Sequence, residues 1–312
     1  VRNAYLQALT RLAAENDRIL ALVADNGAIV YDEFRRLYPN RFINFGISEA
    51  NMVGAAAGLA SCGWVPYVYT ISGFITMRAF EQVRNDLCYQ EMNVKLVGIG
   101  AGFVYSDLGP THHATEDLAL MRALPGMTVL SPADGLEARK ATRAAAEIHG
   151  PVYLRLSRGN SPAIYAGEYD FQVGRGVVLR EGTDVALLGT GEIVRDVLTA
   201  AELLEREGVS ARVINIHTLK PLDRELIAAA AATGAVVTVE EHSIIGGLGS
   251  AVAEALLEEN RGGTAFVRLG LRDRFAEGYG SHAEMKEMNG LDAAAIALAA
   301  RGLVRRGKYS AP

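Results

Sequence analysis

Cysteine is scarce. Two thiols in 312 residues, Cys62 and Cys88, cannot build a disulfide framework, and their separation of 26 positions fits no zinc-ligand spacing. Both are expected to be reduced, buried thiols of a cytosolic protein. An excess of charge of one sign is lacking as well: 31 Lys and Arg against 36 Asp and Glu leave a formal net charge of −5. Such a balance gives no electrostatic footprint for a nucleic acid. The densest basic group, Arg301, Arg305, Arg306 and Lys308, reads as a solvated helix end. No apolar run approaches the ~18 residues of a membrane-spanning helix, and the opening residues show no charged-then-apolar leader. What remains is the composition of a well-cored globular chain, half apolar and 21% charged, of a length that suits about two domains.

Short β-branched runs alternate with longer helical patterns. Residues 18–25, 41–46, 65–70, 93–100, 127–132 and 151–157 read as buried strands, continuous in Val, Ile and Leu. Strands of that kind belong to parallel sheets covered on both faces. Helical patterns fill 2–15, 48–62, 74–90, 114–123 and 134–148, the last opening on Pro132 and the candidate cap Asp134. A second series follows, with strands at 183–191, 211–219, 235–241 and 266–271, helices at 192–207, 221–232 and 250–259, and a helical tail from 282. The expected fold class is α/β, two domains each with a mostly parallel sheet flanked by helices: 1–165, a Gly-punctuated linker over 166–182, and 183–312.

Two glycine-rich turns are weak signals. Gly189-Thr190-Gly191 follows a strand and opens a helix, but Val194 stands where a third dinucleotide-binding glycine belongs. The next strand ends in Asn215 and His217 instead of a ribose-binding acid. A tight strand–helix turn explains both this loop and Gly246–Gly249. The stretch Phe45-Gly46-Ile47-Ser48-Glu49-Ala50-Asn51-Met52 is more informative, because it ends a strand and lands a carboxylate in the first turn of a small-residue helix. The Glu could simply favour the helix dipole. Equally, no charge follows it until Arg78, and a helix so smooth is expected to be buried, placing Glu49 at a crevice mouth that favours the protonated acid. Gly109-Pro110-Thr111-His112-His113 follows the strand at 93–100, where open α/β sheets bind ligands. It offers an orienting or acid–base histidine, or two plain surface residues.

Together these motifs carry a resemblance. FGISEANMVGAAAGLA, F-x-x-x-R-A-F-E-Q-V-R-N, DLGPTHHATEDLALMRALPGMTVLSPAD, GPVYLRLSRG and VEEHSIIGGLGSAVAEAL, in this order over nearly the whole chain, resemble the C-terminal half of transketolases. The likeness is strongest to the C-terminal subunit of split forms. It implies a pyrimidine-binding domain and a transketolase C-terminal domain, without the pyrophosphate-binding domain and its G-D-G…N magnesium motif. Thiamine diphosphate with Mg2+ is then held mainly by an N-terminal partner subunit, as an α2β2 heterotetramer in the cytoplasm. By the same resemblance Glu49 hydrogen-bonds the aminopyrimidine, Phe74 stacks on it, and Asp25 and Ile71 lie near the coenzyme. Phe74 also reads as an ordinary core residue. His112, with His113 beside it, contacts substrate oxygens and assists proton transfer, and Arg2 and Arg158 clamp an acceptor's anion.

The departures bear on substrate. Leu108 replaces the acid that usually precedes Gly-Pro-Thr-His, Gly100 falls where a phosphate-site histidine is usual, Ile29 lies near the position of a usual serine, and Ile71 replaces an aromatic. Two arginines kept and two ligands lost suggest a smaller or differently charged acceptor, and so a specialised transfer of a two-carbon ketol or acyl unit. Two other readings stay open: the β subunit of a 2-oxoacid dehydrogenase, whose histidine-bearing loop differs, and a non-catalytic scaffold, against which Glu49, Phe74 and His112 stand together. The Thr-His-His loop is also similar to that of deoxyxylulose-phosphate synthase, normally one long chain.

Overall fold

The first strands are short and saturated with Val, Ile and Leu, so each needs cover on both faces. In the computed structural model, which describes residues 1–159 and 161–309 with side chains to Arg305, that cover is complete over most of two sheets. Strands β1 (Ile19–Val23), β2 (Phe42–Asn44), β3 (Val65–Ile71), β4 (Lys95–Ile99), β5 (Thr128–Leu130) and β6 (Val152–Leu156) are mutually parallel. β7 (Val177–Arg180), β8 (Val185–Gly189), β9 (Ala211–Asn215), β11 (Ala235–Ser243) and β12 (Ala265–Leu271) build the second sheet, in which β7 alone runs antiparallel to its neighbour. The first sheet has the order β10-β5-β6-β4-β3-β1-β2, with β10 formed by Thr218–Lys220, and the second β12-β11-β8-β9-β7.

Helices α1 (Arg2–Glu15), α2 (Asp32–Leu37) and α6 (Gly135–Glu147) cover one face of the first sheet. The other face carries α3 (Glu49–Ser61), an irregular helix of π turns at Phe74–Arg78 and Val83–Cys88 around α4 (Phe80–Gln82), and α5 (Asp117–Ala123). Met52, Leu118 and Met121 from this layer share one apolar core with Leu248 and Val252 of α9 (Leu248–Glu258), so the two sheets are joined through it. α8 (Arg224–Ala230) adds Ile227 to the same core, while α7 (Val194–Arg206) and α11 (Ala293–Tyr309) close the far face of the second sheet, with α10 (His282–Met288) beside them. Asp134 caps α6 by accepting from the Glu137 N–H at 2.9 Å.

Several expectations need correction. Residues 177–180, read as linker, form β7 on the edge of the second sheet, because Val177 and Val178 find the open edge of β9. The run 211–219 breaks after Asn215: Thr218–Lys220 becomes β10, antiparallel to β5 in the first sheet. Residues 28–41 contain α2, which no strong periodicity announced. Cys88 is buried, but Cys62 is exposed just beyond the end of α3. Of the basic group near the end, Arg301 pairs with Glu207 at 2.8 Å and Arg305 is exposed, and the side chains of Arg306 and Lys308 lie outside the described residues.

The weak glycine turns are filled by the protein itself. The Glu240 carboxylate accepts from the Leu248 and Gly249 N–H groups at 2.6 and 2.8 Å, and a Cβ at Gly247 would collide with it. Asn215 donates to both oxygens of buried Glu137 at 2.9 Å, and His217 stacks on Phe171 at 4.3 Å. The Gly191 N–H is likewise taken, by the Ser131 carbonyl at 3.1 Å, and the Gly246 N–H by Ser250 Oγ at 2.8 Å. No helix among the described residues is long and apolar enough to cross a membrane.

Candidate active site

The strand order assembles the site. Read along the carboxyl edge of the first sheet, β6 delivers Arg158, β4 the loop 100–113, β3 Ile71 and Phe74, β1 Asp25, and β2 the turn into Glu49. Open α/β sheets bind ligands outside this edge, where loops diverge and helix N-termini point inward.

Glu49 is the first residue of α3 and only 5% exposed. Its carboxylate receives long contacts from the Arg78 guanidinium, 3.4 and 3.5 Å from the two oxygens. The same guanidinium lies over the Phe74 ring, 3.9 Å from its centre. The π turn of Phe74–Arg78 brings the ring and the cation onto one side of the irregular helix, facing Glu49. The expectation of a wholly buried α3 is half met: Met52, Val53, Ala56 and Ala57 are buried, whereas Asn51 and Gly58 are exposed. Ile29 (77% exposed), Ile47 (80%) and Met77 stand open around the same region.

The loop after β4 supplies the next side chains. His112 is half-buried, its ring 5.3 Å from Phe74 and its Nδ1 3.0 Å from Thr111 Oγ1. His113 turns the other way, into the core against Phe103 at 5.9 Å, with no partner for either ring nitrogen among the described residues; burial holds its pKa below the usual histidine value. Tyr105, not foreseen as a site residue, sits 6.0 Å from His112 on one side, and the Arg158 guanidinium lies 5.1 Å above its ring. Arg2, at the start of α1, brings its charge beside the Tyr69 phenol, which Arg158 also faces; burial nevertheless keeps that phenol well above its ordinary pKa. Its Nε is buried and has no hydrogen-bond partner among the described residues. Phe74, His112, Tyr105 and Arg158 thus follow one another side by side, with Glu49 at one end and Arg2 near the other.

Other expected residues stand apart. Asp25 is exposed in a left-handed turn (φ 58°), its N–H bonded to Asn44 Oδ1 at 2.9 Å. Among the described residues no hydrogen bond or ion pair joins it to Glu49, Phe74 or His112. Ile71 is buried beside Ile99 and Tyr105 in the core under the loop. Leu108 is half-exposed at the loop tip, its N–H bonded to the Tyr105 carbonyl at 3.0 Å.

A buried polar seam fixes the loop from below. The Arg155 guanidinium donates to Asp117 Oδ2 at 2.8 Å, to the Ala114 carbonyl at 2.9 Å and to the Glu241 carbonyl at 3.0 Å. The Tyr153 hydroxyl also donates to Asp117, at 2.7 Å. The Glu241 carboxylate accepts from the Phe103 N–H at 3.1 Å and meets His282 Nε2 at 2.8 Å. Burial alone would raise the Glu241 pKa, but His282 and Lys286 outweigh it and hold it at about 2. Arg78, Tyr105 and this seam escaped the sequence reading. Arg78 and Tyr105 lie within motifs or loops already singled out, yet only the fold shows what they touch.

Residues 1–163 match the family model of the transketolase pyrimidine binding domain, and residues 174–296 that of the transketolase C-terminal domain. A 6-deoxy-6-sulfo-D-fructose transketolase subunit, SqwH, of Clostridium sp. (strain MSTE9) is 41% identical over 99% of this chain and 96% of its own length. A subunit of the apulose-4-phosphate transketolase of Phocaeicola vulgatus is 37% identical over 82% of this chain and 83% of its own. Human transketolase is 40% identical over 98% of this chain but 49% of its own length. Among solved structures, a split-gene transketolase in the form of an inactive β4 tetramer superposes with a TM-score of 0.88 at 44% identity, over 97% of both chains. The two family models together with full-length relatives of the same extent settle the assignment: the chain belongs to the transketolase family, as the C-terminal subunit of a split transferase that carries the pyrimidine-binding and C-terminal domains.

Proposed function

We propose that this chain, assembled with an N-terminal subunit that brings the pyrophosphate-binding domain, transfers a two-carbon ketol unit between a ketose donor and an anionic aldehyde acceptor. The observation that carries the reading is the side-by-side placement of Glu49, Phe74, His112 and Arg158. It pairs a site for a flat, nitrogen-bearing ring with a site for an oxyanion. An α2β2 assembly in the cytoplasm is part of the proposal, as are the domain limits near 165 and 183. The open side of α3 and the exposed Ile29, Ile47 and Met77 support a partner surface around Glu49.

The residues present fit the coenzyme that the family implies. Glu49 is buried, yet its contacts with Arg78 are long, so its oxygens keep hydrogen-bonding capacity for a ring nitrogen or amino group. Phe74 offers an aromatic ring beside it, one face of which is covered by the Arg78 guanidinium and would have to be yielded to a stacking ring. We assign these two residues to the aminopyrimidine ring of thiamine diphosphate and leave the diphosphate and Mg2+ to the partner subunit. When bound, the coenzyme supplies the carbon nucleophile and electron sink for breaking and making the carbon–carbon bond.

The chain's own work is then to hold and move protons and to place the substrate. Glu49, held at the N-terminus of α3, shares a proton with the ring nitrogen. His112, with Nδ1 engaged by Thr111, presents Nε2 to a substrate oxygen and exchanges a proton there. Arg158 and Arg2 hold the anionic end of the acceptor. His113 supports the loop from below and keeps out of the substrate's way. Asp25 and Leu108 stay at the rim, and Ile71 acts through the packing under Tyr105.

Relatives named for a sulfonated ketose and for apulose 4-phosphate favour a specialised acceptor or donor over general pentose-phosphate exchange. The test is reconstitution with the partner subunit and a screen of ketose donors against phosphorylated, sulfonated and uncharged aldehydes. If xylulose 5-phosphate and ribose 5-phosphate prove the best pair, the specialised reading fails. If Glu49→Gln leaves turnover unchanged, the catalytic reading itself fails.

A further inference from the structure

Gly100 closes β4 in a left-handed conformation (φ 84°), and the space that a side chain there would take is occupied. A Cβ on Gly100 would fall 2.1 Å from Tyr105 Cε2 and 2.3 Å from Cδ2. The Tyr105 ring is therefore inserted over a glycine, and it is only 6% exposed. Ile71, Ile99 and Leu156 pack in the same core beneath it. Its position is constrained on two further sides: His112 at 6.0 Å and the Arg158 guanidinium at 5.1 Å over its ring.

We propose that Tyr105 is the specificity-determining residue of the acceptor pocket. Its ring is a fixed spacer between His112, where an acceptor carbonyl is handled, and the Arg158–Arg2 pair, where its anion is held. The inference rests on the proposed function above for those two ends. The spacer comes from the structure: a tyrosine locked in the volume of a missing side chain at 100. Because the ring is wedged on glycine and packed from below, it cannot retreat to admit more substrate atoms. It also supports Arg158 through a cation–π contact. The class of acceptor selected is a short aldehyde with a terminal phosphate or sulfonate, matched to the distance across one phenol ring.

The experiment uses the full chain and a series of linear alkylphosphonates of increasing length, titrated calorimetrically, and then the reconstituted enzyme with aldehyde phosphates of increasing length. Tyr105→Ala should change the ratio of affinities, long over short, by about ten-fold or more in favour of long, the scale at which apolar pockets discriminate single methylenes. Tyr105→Phe should leave that ratio within about two-fold of wild type. Gly100→Ala is strained in either background by its left-handed φ, but it should disturb the ratio clearly more in the wild-type background than in the Tyr105→Ala background, since the two positions compete for one volume. An unchanged ratio in a folded Tyr105→Ala protein overturns the proposal. So does a Gly100→Ala effect of equal size in both backgrounds. Absence of ketol transfer by the wild-type enzyme, with the phosphonate ratios shifting as stated, would instead refute the proposed reaction and leave the spacer standing.

Discussion

Replacing Arg155 by Met tests how the active-site loop is held. The guanidinium is 3% exposed and donates to Oδ2 of Asp117, which is fully buried, and to the carbonyls of Ala114 and Glu241. Methionine keeps much of the volume but donates nothing. Asp117 then keeps the Tyr153 hydroxyl as its hydrogen-bond donor, with His242 Nε2 4.0 Å from its other oxygen, and two buried carbonyls lose a charged donor. Breaking a buried pair by removing one member costs about 3–5 kcal/mol. The surviving Tyr153 bond argues for the lower half of that range, so the expected loss is about 3–4 kcal/mol. For domains of this size that corresponds to a fall of roughly 6–16 °C in Tm. Urea unfolding followed by circular dichroism measures the loss, and hydrogen exchange across residues 102–114 shows where it falls, because Ala114 and Phe103 are tied to this seam. Removing the stranded charge as well, in Arg155→Met/Asp117→Asn, should recover ~1 kcal/mol or more. A single substitution costing under about 1 kcal/mol, or a double variant no better than the single, refutes the account of the seam.

Four further outcomes follow from the geometry. Glu49→Gln should lower kcat of the assembled enzyme by about 10²–10³-fold, within the range for a positioned acid–base group, with the fold unchanged by circular dichroism. Arg78→Ala should tighten thiamine diphosphate binding by about three- to five-fold, the worth of an exposed cation–π contact, because the guanidinium covers the Phe74 face that a stacking ring needs; weaker binding would show that Arg78 instead helps hold the coenzyme. His282 is desolvated, which lowers its pKa, but Glu241 more than compensates and the net shift is upward. The pair's stabilisation is thus complete between about pH 4.5 and 6.5, the ordinary values of the two groups. It is lost as pH rises through the raised pKa of His282, and as pH falls toward the Glu241 value of about 2. The stability difference between wild type and His282→Gln should shrink above about pH 6.5, and a pH-independent difference would contradict this. Finally, Ellman's reagent should titrate Cys62 quickly and Cys88 only on unfolding, since burial also pushes the Cys88 thiol up to about 11.

The strands and most helices were legible because their signals are local. Runs such as 18–25 and 65–70 are too short and too β-branched for helices, and β1 and β3 lie within a residue or two of where they were expected. Asp134 was legible as a cap for the same reason. Glu49 and the His112 loop drew notice by their place just after strands, and Phe74 and Arg158 through the family resemblance; each follows a different strand of one parallel sheet, and parallel order sends all those ends to one edge. What could not be read were contacts set by distant partners. Nothing near Gly100 announces that Tyr105 will fill its space, and nothing near residue 218 announces that β10 will leave its own sheet for β5. Cys62 was misread because a helix of small apolar residues looks buried on all sides, while α3 has one covered side in this chain.

The excursion of β10 limits how this polypeptide can be divided. Thr218 and Lys220 complete the margin of the first sheet, and Asn215 reaches Glu137 at the opening of α6. A recombinant fragment ending near residue 165 would leave β5 with unpaired amides and carbonyls along one side and Glu137 short of its amide donor. Bare margins of that sort recruit strands from other molecules. Severed at its apparent waist, the protein should yield clumping material and not a tidy module, and anyone wishing to swap its halves with a cousin's would have to carry the stretch 211–220 across the join.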